Sequence, residues 1–128
     1  SFFYARISEI TYLRNLNNIK HNFFIMAELR IDSRMKVKTL KANFKKAFGA
    51  TLRVYTTGTC KAKADDEATL GQLMGGAKGG EATFGSNLRV GNFEKKLNEM
   101  YGIGVQVANP ADTKLSDNDI TLAAAGKE

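Results

Sequence analysis

An internal repeat constrains the fold of this 128-residue chain more than any other feature of its sequence. When the chain is shifted by 53 residues, residues 28–55 align with residues 81–108 without a gap, and apolar positions agree nearly throughout. The identical pairs are Glu28/Glu81, Ser33/Ser86, Val37/Val90, Gly49/Gly102 and Val54/Val107. One deletion later, residues 65–70 (DDEATL) align with residues 117–122 (DNDITL). Unrelated amphipathic helices share apolar spacing but neither paired glycines nor such an acidic element, so we interpret the alignment as a duplication.

Each copy is predicted to run as strand, helix, strand, strand and short helical turn. Alternation of apolar and polar residues indicates strands, and an apolar spacing of about 3.6 residues indicates a helix. The predicted strands cover residues 29–31, 51–55, 60–63, 82–84, 104–108 and 113–115. In the first copy the apolar face of the helix comprises Leu40, Phe44, Ala47 and Phe48. We expect both helices to bury such faces against a common sheet.

Polar and glycine residues at the edges of these segments predict where the helices begin and end. Thr39 and Asn92 occupy equivalent positions and are good N-cap residues, because their side-chain oxygens accept from free amides. Gly49 and Gly102 follow the last apolar position, where a left-handed residue ends a helix at low cost. Ser116, with Asp119 three residues later, predicts a capping box for the closing turn of the second copy.

The helix with its lead-in at residues 36–49, the strand and turn at residues 52–58 and the acidic Thr-Leu turn at residues 65–70 resemble ubiquitin-like β-grasp proteins. The same order recurs in the second copy, so the resemblance covers most of residues 27–123. The chain departs from that family because each copy has one strand before its helix, where the family has a hairpin, and a shorter loop after it. We therefore expect the copies to share strands, with residues 81–84 closing the first copy and opening the second. The resemblance implies a recognition module rather than a catalyst.

The predicted fold class is α+β, with two β-α-β-β-(short helix) repeats that form either a β-grasp-like tandem or one pseudo-twofold domain. Repeat 1 is assigned to residues 26–74, a Gly-rich linker to residues 75–80 and repeat 2 to residues 81–125. Residues 1–25 are rich in Phe, Ile and Asn, and we interpret them as a non-native or loosely attached N-terminal segment. The alternative is an amphipathic helix, because four apolar residues recur there at helical spacing.

Charge distinguishes the copies, although the chain as a whole has a net charge of +6. Residues 28–63 hold ten Lys and Arg and two acidic residues, a net charge of +8, whereas residues 64–128 hold six and ten, a net charge of −4. The candidate interaction residues are Arg30, Lys38, Lys41, Lys45, Arg53 and Tyr55. The candidate acidic counter-face comprises Asp65, Asp66, Glu67, Asp117 and Asp119.

The basic face of repeat 1 suggests a non-catalytic macromolecular-interaction module. It either binds an acidic protein partner or docks head to tail on the acidic counter-face of a second copy of the chain, since complementary patches steer and orient association. The alternative is nucleic-acid binding, with phosphate contacts from lysine and arginine and a base stacked on Tyr55. A basic surface without any partner, which only keeps the protein solvated, is also compatible with the sequence.

Catalytic, metal and cofactor sites are not predicted, and an enzyme is not expected. One cysteine and one histidine exclude a multi-cysteine zinc site and an internal disulfide. Cys60 is the only candidate nucleophile, and Asp65–Glu67 lacks the ligand spacing of a calcium loop. No apolar run reaches the 18 or so residues that a membrane span needs. With one cysteine and no secretory signal, a cytoplasmic location is expected.

Overall fold

The computed structural model describes residues 28–74 and 79–128, which form eight short elements. The first half holds strand β1 (Glu28–Ile31), helix α1 (Val37–Phe48), strand β2 (Thr51–Tyr55) and helix α2 (Leu70–Leu73). The second half holds strand β3 (Ala82–Gly85), helix α3 (Val90–Tyr101), strand β4 (Gly104–Ala108) and helix α4 (Leu122–Ala125). The predicted α+β class is confirmed. The predicted N-terminal segment 1–25 and residues 75–78 of the predicted linker lie outside the described residues.

The four strands form two small antiparallel sheets, and each sheet takes one strand from each half. Strand β1 pairs with β3, so that Leu29 lies opposite Phe84, and β2 pairs with β4, so that Val54 lies opposite Val105. The expectation that the halves share strands is therefore confirmed. The expectation of one common sheet is wrong, because the four strands pair as two separate two-stranded ribbons.

The predicted third strands at residues 60–63 and 113–115 are reduced to one bridge each. Lys63 bridges to Tyr55, and Leu115 bridges to Ala108. Cys60 and Asp112 precede these bridges with φ angles of 57° and 58°, in the left-handed region that interrupts an extended chain. The returning segment after each of β2 and β4 is consequently too short to extend the sheet.

Helices α1 and α3 begin two residues before the predicted N-caps. Their N-cap residues are Lys36 and Arg89, and neither side chain makes a capping hydrogen bond, so the assignment of Thr39 and Asn92 is wrong. A backbone loop supplies the acceptors instead: in α1, Val37 N donates to Ala68 O at 2.8 Å and Lys38 N to Asp66 O at 3.0 Å. Because carbonyls from the end of the same half satisfy the free amides, no capping side chain is needed.

The other helix ends follow the sequence in part. Gly49 and Gly102 adopt left-handed conformations after α1 and α3, as predicted. The predicted capping box of Ser116 with Asp119 is wrong, because Thr121 caps α4 and accepts from Ala124 N at 3.1 Å. The hydroxyl of Ser116 donates to Glu128 instead, at 2.6 Å.

The hydrophobic core lies between the two halves. The predicted helix faces are buried, with Leu40 and Phe44 of α1 and Phe93 of α3 fully inaccessible to solvent. The Phe44 and Phe93 rings have centroids 5.3 Å apart and so join the halves through aromatic packing. Helix α4 packs on α1, and α2 packs on α3. None of the helices in residues 28–74 and 79–128 has the length and apolar character that crossing a membrane requires.

Truncation of the central aromatic residue should destabilise the whole protein. We expect Phe44→Ala to lower the free energy of unfolding by about 3–5 kcal/mol, because it leaves a cavity between the halves. Lys46→Ala, an exposed change on the same helix, should stay within about 0.5 kcal/mol of wild type. Urea denaturation monitored by circular dichroism measures both, and equal unfolding midpoints for the two variants would contradict the assignment of Phe44 to the core.

Neither half should fold alone as a monomer, because every pair of strands in the described residues crosses between the halves. We expect a fragment of residues 28–74 to be unfolded or to pair with a second copy of itself, and mixing with a fragment of residues 79–128 should restore the native circular dichroism spectrum. Sedimentation velocity distinguishes these states. A folded monomer of either fragment would show that pairing between the halves is dispensable.

Candidate interaction surface

Three lysines predicted to form an interaction face lie along the exposed side of α1. They are Lys38, Lys41 and Lys45, and we call them the α1 basic stripe. The turns of the helix place them on one side because residues three and four apart are neighbours on its surface. The stripe lies beside the apolar face of α1, which carries the buried Leu40, Phe44 and Phe48, so packing of the core fixes the direction in which the stripe points.

Acidic side chains of the same half lie beside the α1 basic stripe. Lys38 Nζ donates to Glu67 Oε2 at 2.7 Å, and Lys41 Nζ donates to Asp66 Oδ1 at 2.9 Å. The loop that carries these acids is held there because its carbonyls cap α1. The hydrogen bond from Lys38, with a second from Lys36, lowers the pKa of Glu67, and the same Glu67 contact raises the pKa of Lys38.

The five predicted acids lie in two separate loops of the structure. Asp65, Asp66 and Glu67 lie at the start of α1, where the loop at residues 65–68 meets the helix. Asp117 and Asp119 lie in the equivalent loop at the start of α3, where Gly91 N donates to Asn118 O at 3.0 Å. Within that loop, Asp117 accepts from the Asp119 amide at 2.9 Å. The acids thus form two groups that belong to two different helix starts.

The two arginines predicted to share a face with Tyr55 lie in different sheets. Arg30 on β1 donates to Glu81 at 2.5 Å, while Arg53 on β2 donates to Asp112 Oδ1 at 2.7 Å. Tyr55 is only 8% exposed, and its hydroxyl donates to Gln106 Oε1 at 3.0 Å. Tyr55 is therefore part of the β2–β4 packing rather than a residue that faces solvent.

The second half reaches over the end of the α1 basic stripe. Lys45 Nζ donates to the carbonyl of Pro110 at 2.6 Å, and the hydroxyl of Thr51 donates to the same oxygen at 3.2 Å. A cleft of about 610 Å³ opens beside β2, between this contact and the loop that caps α1. Its lining side chains include Lys41, Arg53, Lys63, Asp65, Asp66 and Asp112.

A carboxylate that the sequence analysis did not select occupies the equivalent place in the second half. Glu94 is the fifth residue of α3, as Lys41 is of α1, and its Oε2 accepts from the Val107 amide at 3.1 Å. Burial raises the pKa of Glu94, and the hydrogen bond from Val107 only partly offsets this effect. The sequence contains one clue to this residue, the alignment of an acid with a lysine in otherwise similar helices.

The surroundings of the single thiol oppose its ionisation. Cys60 is partly buried in the loop that follows β2. Burial raises its pKa, and the negative charge of Glu94 raises it further. Because the thiolate is the nucleophilic form, both effects oppose reactivity at neutral pH. Among residues 28–74 and 79–128, no three His, Cys, Asp or Glu side chains are grouped so that they could hold a metal ion.

Comparison of the chain with protein-family models, with curated proteins and with solved structures finds no match.

Replacement of the half-buried acid should reveal its desolvation in the pH dependence of stability. The folded pKa of Glu94 lies above its unfolded value, so stability is lost as pH rises through the folded pKa and the carboxylate becomes charged. Glu94→Gln keeps an acceptor for the Val107 amide without that charge. We expect the free energy of unfolding of Glu94→Gln to increase relative to that of wild type as the pH rises from about 4 to 7.

The matched control for this change is Glu99→Gln, which removes an exposed carboxylate from the same helix. Urea denaturation of the three proteins at several pH values measures the effect. A difference between Glu94→Gln and wild type that stays constant over this pH range would contradict the assigned burial of the charge.

Proposed function

We propose that the protein is a non-catalytic interaction module that binds an acidic protein partner through the α1 basic stripe. The observation that carries this proposal is a comparison within the molecule. Helices α1 and α3 have the same length, the same type of C-cap and equivalent buried positions. On α3, Gly91, Glu94 and Asn98 take the places of the three lysines. Because the same helix forms with those residues, the lysines are not required by the fold.

The acids beside the α1 basic stripe are compatible with binding of an external partner. The side chains of Lys36, Lys38, Lys41, Asp66 and Glu67 are between 40% and 60% exposed. Ion pairs between exposed side chains contribute little to stability, because water screens them and their side chains lose conformational freedom. Carboxylates of a partner can therefore replace Asp66 and Glu67 at small cost, and the intramolecular pairs would discriminate against weakly acidic partners.

We also infer that the chain is a duplicated β-α-β-β-(short helix) unit closed into one pseudo-twofold domain. Repetition of hydrogen bonds at equivalent positions supports this inference. Leu70 N donates to Met35 O at 2.9 Å, and Leu122 N donates to Leu88 O at 2.9 Å. The left-handed residues Cys60 and Asp112 also correspond. The β-grasp resemblance is limited to the helix, the strand and the Thr-Leu turn of each half, whereas the single strand before each helix and the division into two sheets are features of this arrangement.

Two other partners are less well supported by the geometry. Nucleic-acid binding would use the same lysines, but the buried Tyr55 is not available to stack on a base, and residues 64–128 are net negative. Head-to-tail self-association would need an acidic surface on a second copy, and the candidate acids are divided between the loops that cap α1 and α3. An acidic protein partner avoids both difficulties.

Charge reversal within the α1 basic stripe should weaken binding to an acidic polymer. We expect Lys38→Glu/Lys45→Glu to weaken binding of fluorescent poly-L-glutamate by at least about tenfold at low salt, since close charge pairs carry the contact. The matched control, Lys95→Glu/Lys96→Glu on α3, makes the same change in net charge and should alter the affinity by less than about threefold. Fluorescence anisotropy measures both dissociation constants.

The same measurement with single-stranded DNA tests the alternative partner. About five phosphate contacts would give a log–log slope of affinity against salt of about −3.5. Equal losses in the two variants would overturn the assignment to α1. Tighter binding of DNA than of poly-L-glutamate, lost only in the α1 variant, would make nucleic acid the partner.

A further inference from the structure

Two backbone amides at equivalent positions of β2 and β4 have different surroundings. In β4, the Val107 amide donates to Glu94, and its carbonyl accepts from Ser116 N at 2.9 Å, so both groups point away from β2. Hydrogen-bonded and non-hydrogen-bonded pairs alternate along antiparallel strands. The pair Val54–Val105 lies two positions from the pair that contains Val107, so both pairs are of the non-hydrogen-bonded type. The amide and carbonyl of Val54 therefore point away from β4, and the carbonyl accordingly accepts from Ala64 N at 3.0 Å.

The Val54 amide has no acceptor among the described residues. Its counterpart in the second half is satisfied by the carboxylate of Glu94, but the equivalent residue of α1 is Lys41, whose ammonium group can only donate. Val54 is 4% exposed. A buried amide without an acceptor is costly, and in folded proteins buried amides nearly always have a partner in the protein or in ordered water.

Val54, whose amide lacks an acceptor, and Lys41 line the same space. Val54 and Lys41 both contribute to the cleft of about 610 Å³ beside β2, together with Thr51, Arg53 and Lys63. An N–H donor next to an ammonium group suits an anionic acceptor, because hydrogen bonds to charged groups are stronger than neutral ones. The second half shows which anion fits the backbone at this place, since Glu94 contributes a carboxylate there.

We propose that this cleft receives a carboxylate of an acidic peptide, which accepts from the Val54 amide beside Lys41. The ligand takes the place in the first half that Glu94 occupies in the second. This proposal rests on the proposed function, because Lys41 belongs to the α1 basic stripe, and it specifies where one acidic side chain of the partner binds.

Charges around the cleft favour a peptide over a small free carboxylate. Asp66 already accepts from Lys41, and Asp112 accepts from Arg53, so a single incoming charge meets cations that are partly neutralised. Asp65 also lines the cleft and repels an anion. A peptide with several acids adds contacts to neighbouring lysines, and these contacts make up for the repulsion that a small ligand cannot overcome.

The test is a nuclear magnetic resonance titration of the ¹⁵N-labelled full chain with hexaglutamate, and separately with acetate at the same carboxylate concentration. We expect the Val54 amide proton to move downfield and to saturate with hexaglutamate, because it gains a charged acceptor. The Val107 amide proton already has one and should remain in place. Acetate should shift Val54 only at concentrations at least about tenfold higher.

Each other outcome overturns part of the proposal. Binding of hexaglutamate that shifts the amides of α1 and leaves Val54 fixed would overturn the carboxylate site while the proposed function stands. Absence of any shift would overturn both. Equal affinity for acetate and hexaglutamate would overturn the commitment to a peptide and indicate a site for small carboxylates.

A self-occupied variant provides a second test. Lys41→Glu places an acid at the position of Glu94, so the Val54 amide proton should move downfield without ligand and hexaglutamate binding should weaken at least about tenfold. Lys46→Glu makes the same charge change on the same helix and should weaken binding by less than about threefold. Similar losses in both variants would overturn the site. The wild-type titration decides the proposal even where Lys41→Glu lowers stability.

Discussion

Pairing between the halves is the constraint on which the rest of the structure depends. Within the described residues, β1 has its ladder only with β3, and β2 has its ladder only with β4. A two-stranded ribbon is marginal in water by itself, so each ribbon needs the helices that cover it and the aromatic contact between Phe44 and Phe93. Secondary structure and core therefore form together. The two halves stabilise each other and do not form two independent folding units.

The way in which α1 begins determines the electrostatics of the α1 basic stripe. A loop must place carbonyls at the start of α1 because no side chain caps it, and that loop consists of Asp65, Asp66 and Glu67. Acids near a helix N-terminus are also favoured by the helix dipole. Their proximity to the lysines thus follows from how the helix begins. A surface that looks strongly basic in the sequence becomes one in which basic groups are held in defined positions by exposed ion pairs.

Local sequence patterns predict the helices and strands well, but they predict the long-range contacts of these elements less well. Strands at residues 51–55 and 104–108 and the glycines after α1 and α3 were predictable, because alternation and left-handed C-caps are properties of short segments. The assignment of Thr39 as an N-cap is wrong, because backbone carbonyls about 30 positions away accept from the free amides of α1. The burial of Tyr55 also depends on a partner strand in the other half. Neither effect has a local signature in the sequence.

A repeated scaffold separates what a fold requires from what it tolerates. Residues that agree between the halves, such as the left-handed glycines, meet demands of the backbone that both halves share. Residues that differ between the halves while the backbone stays the same are not required by the backbone. Lys41 and Glu94 are the most informative such pair, because each lies beside the same kind of outward-facing strand amide and only Glu94 can accept from it. Among the described residues, the Val54 amide is therefore left without an internal acceptor, and this difference between the halves is the reason for placing the proposed carboxylate there.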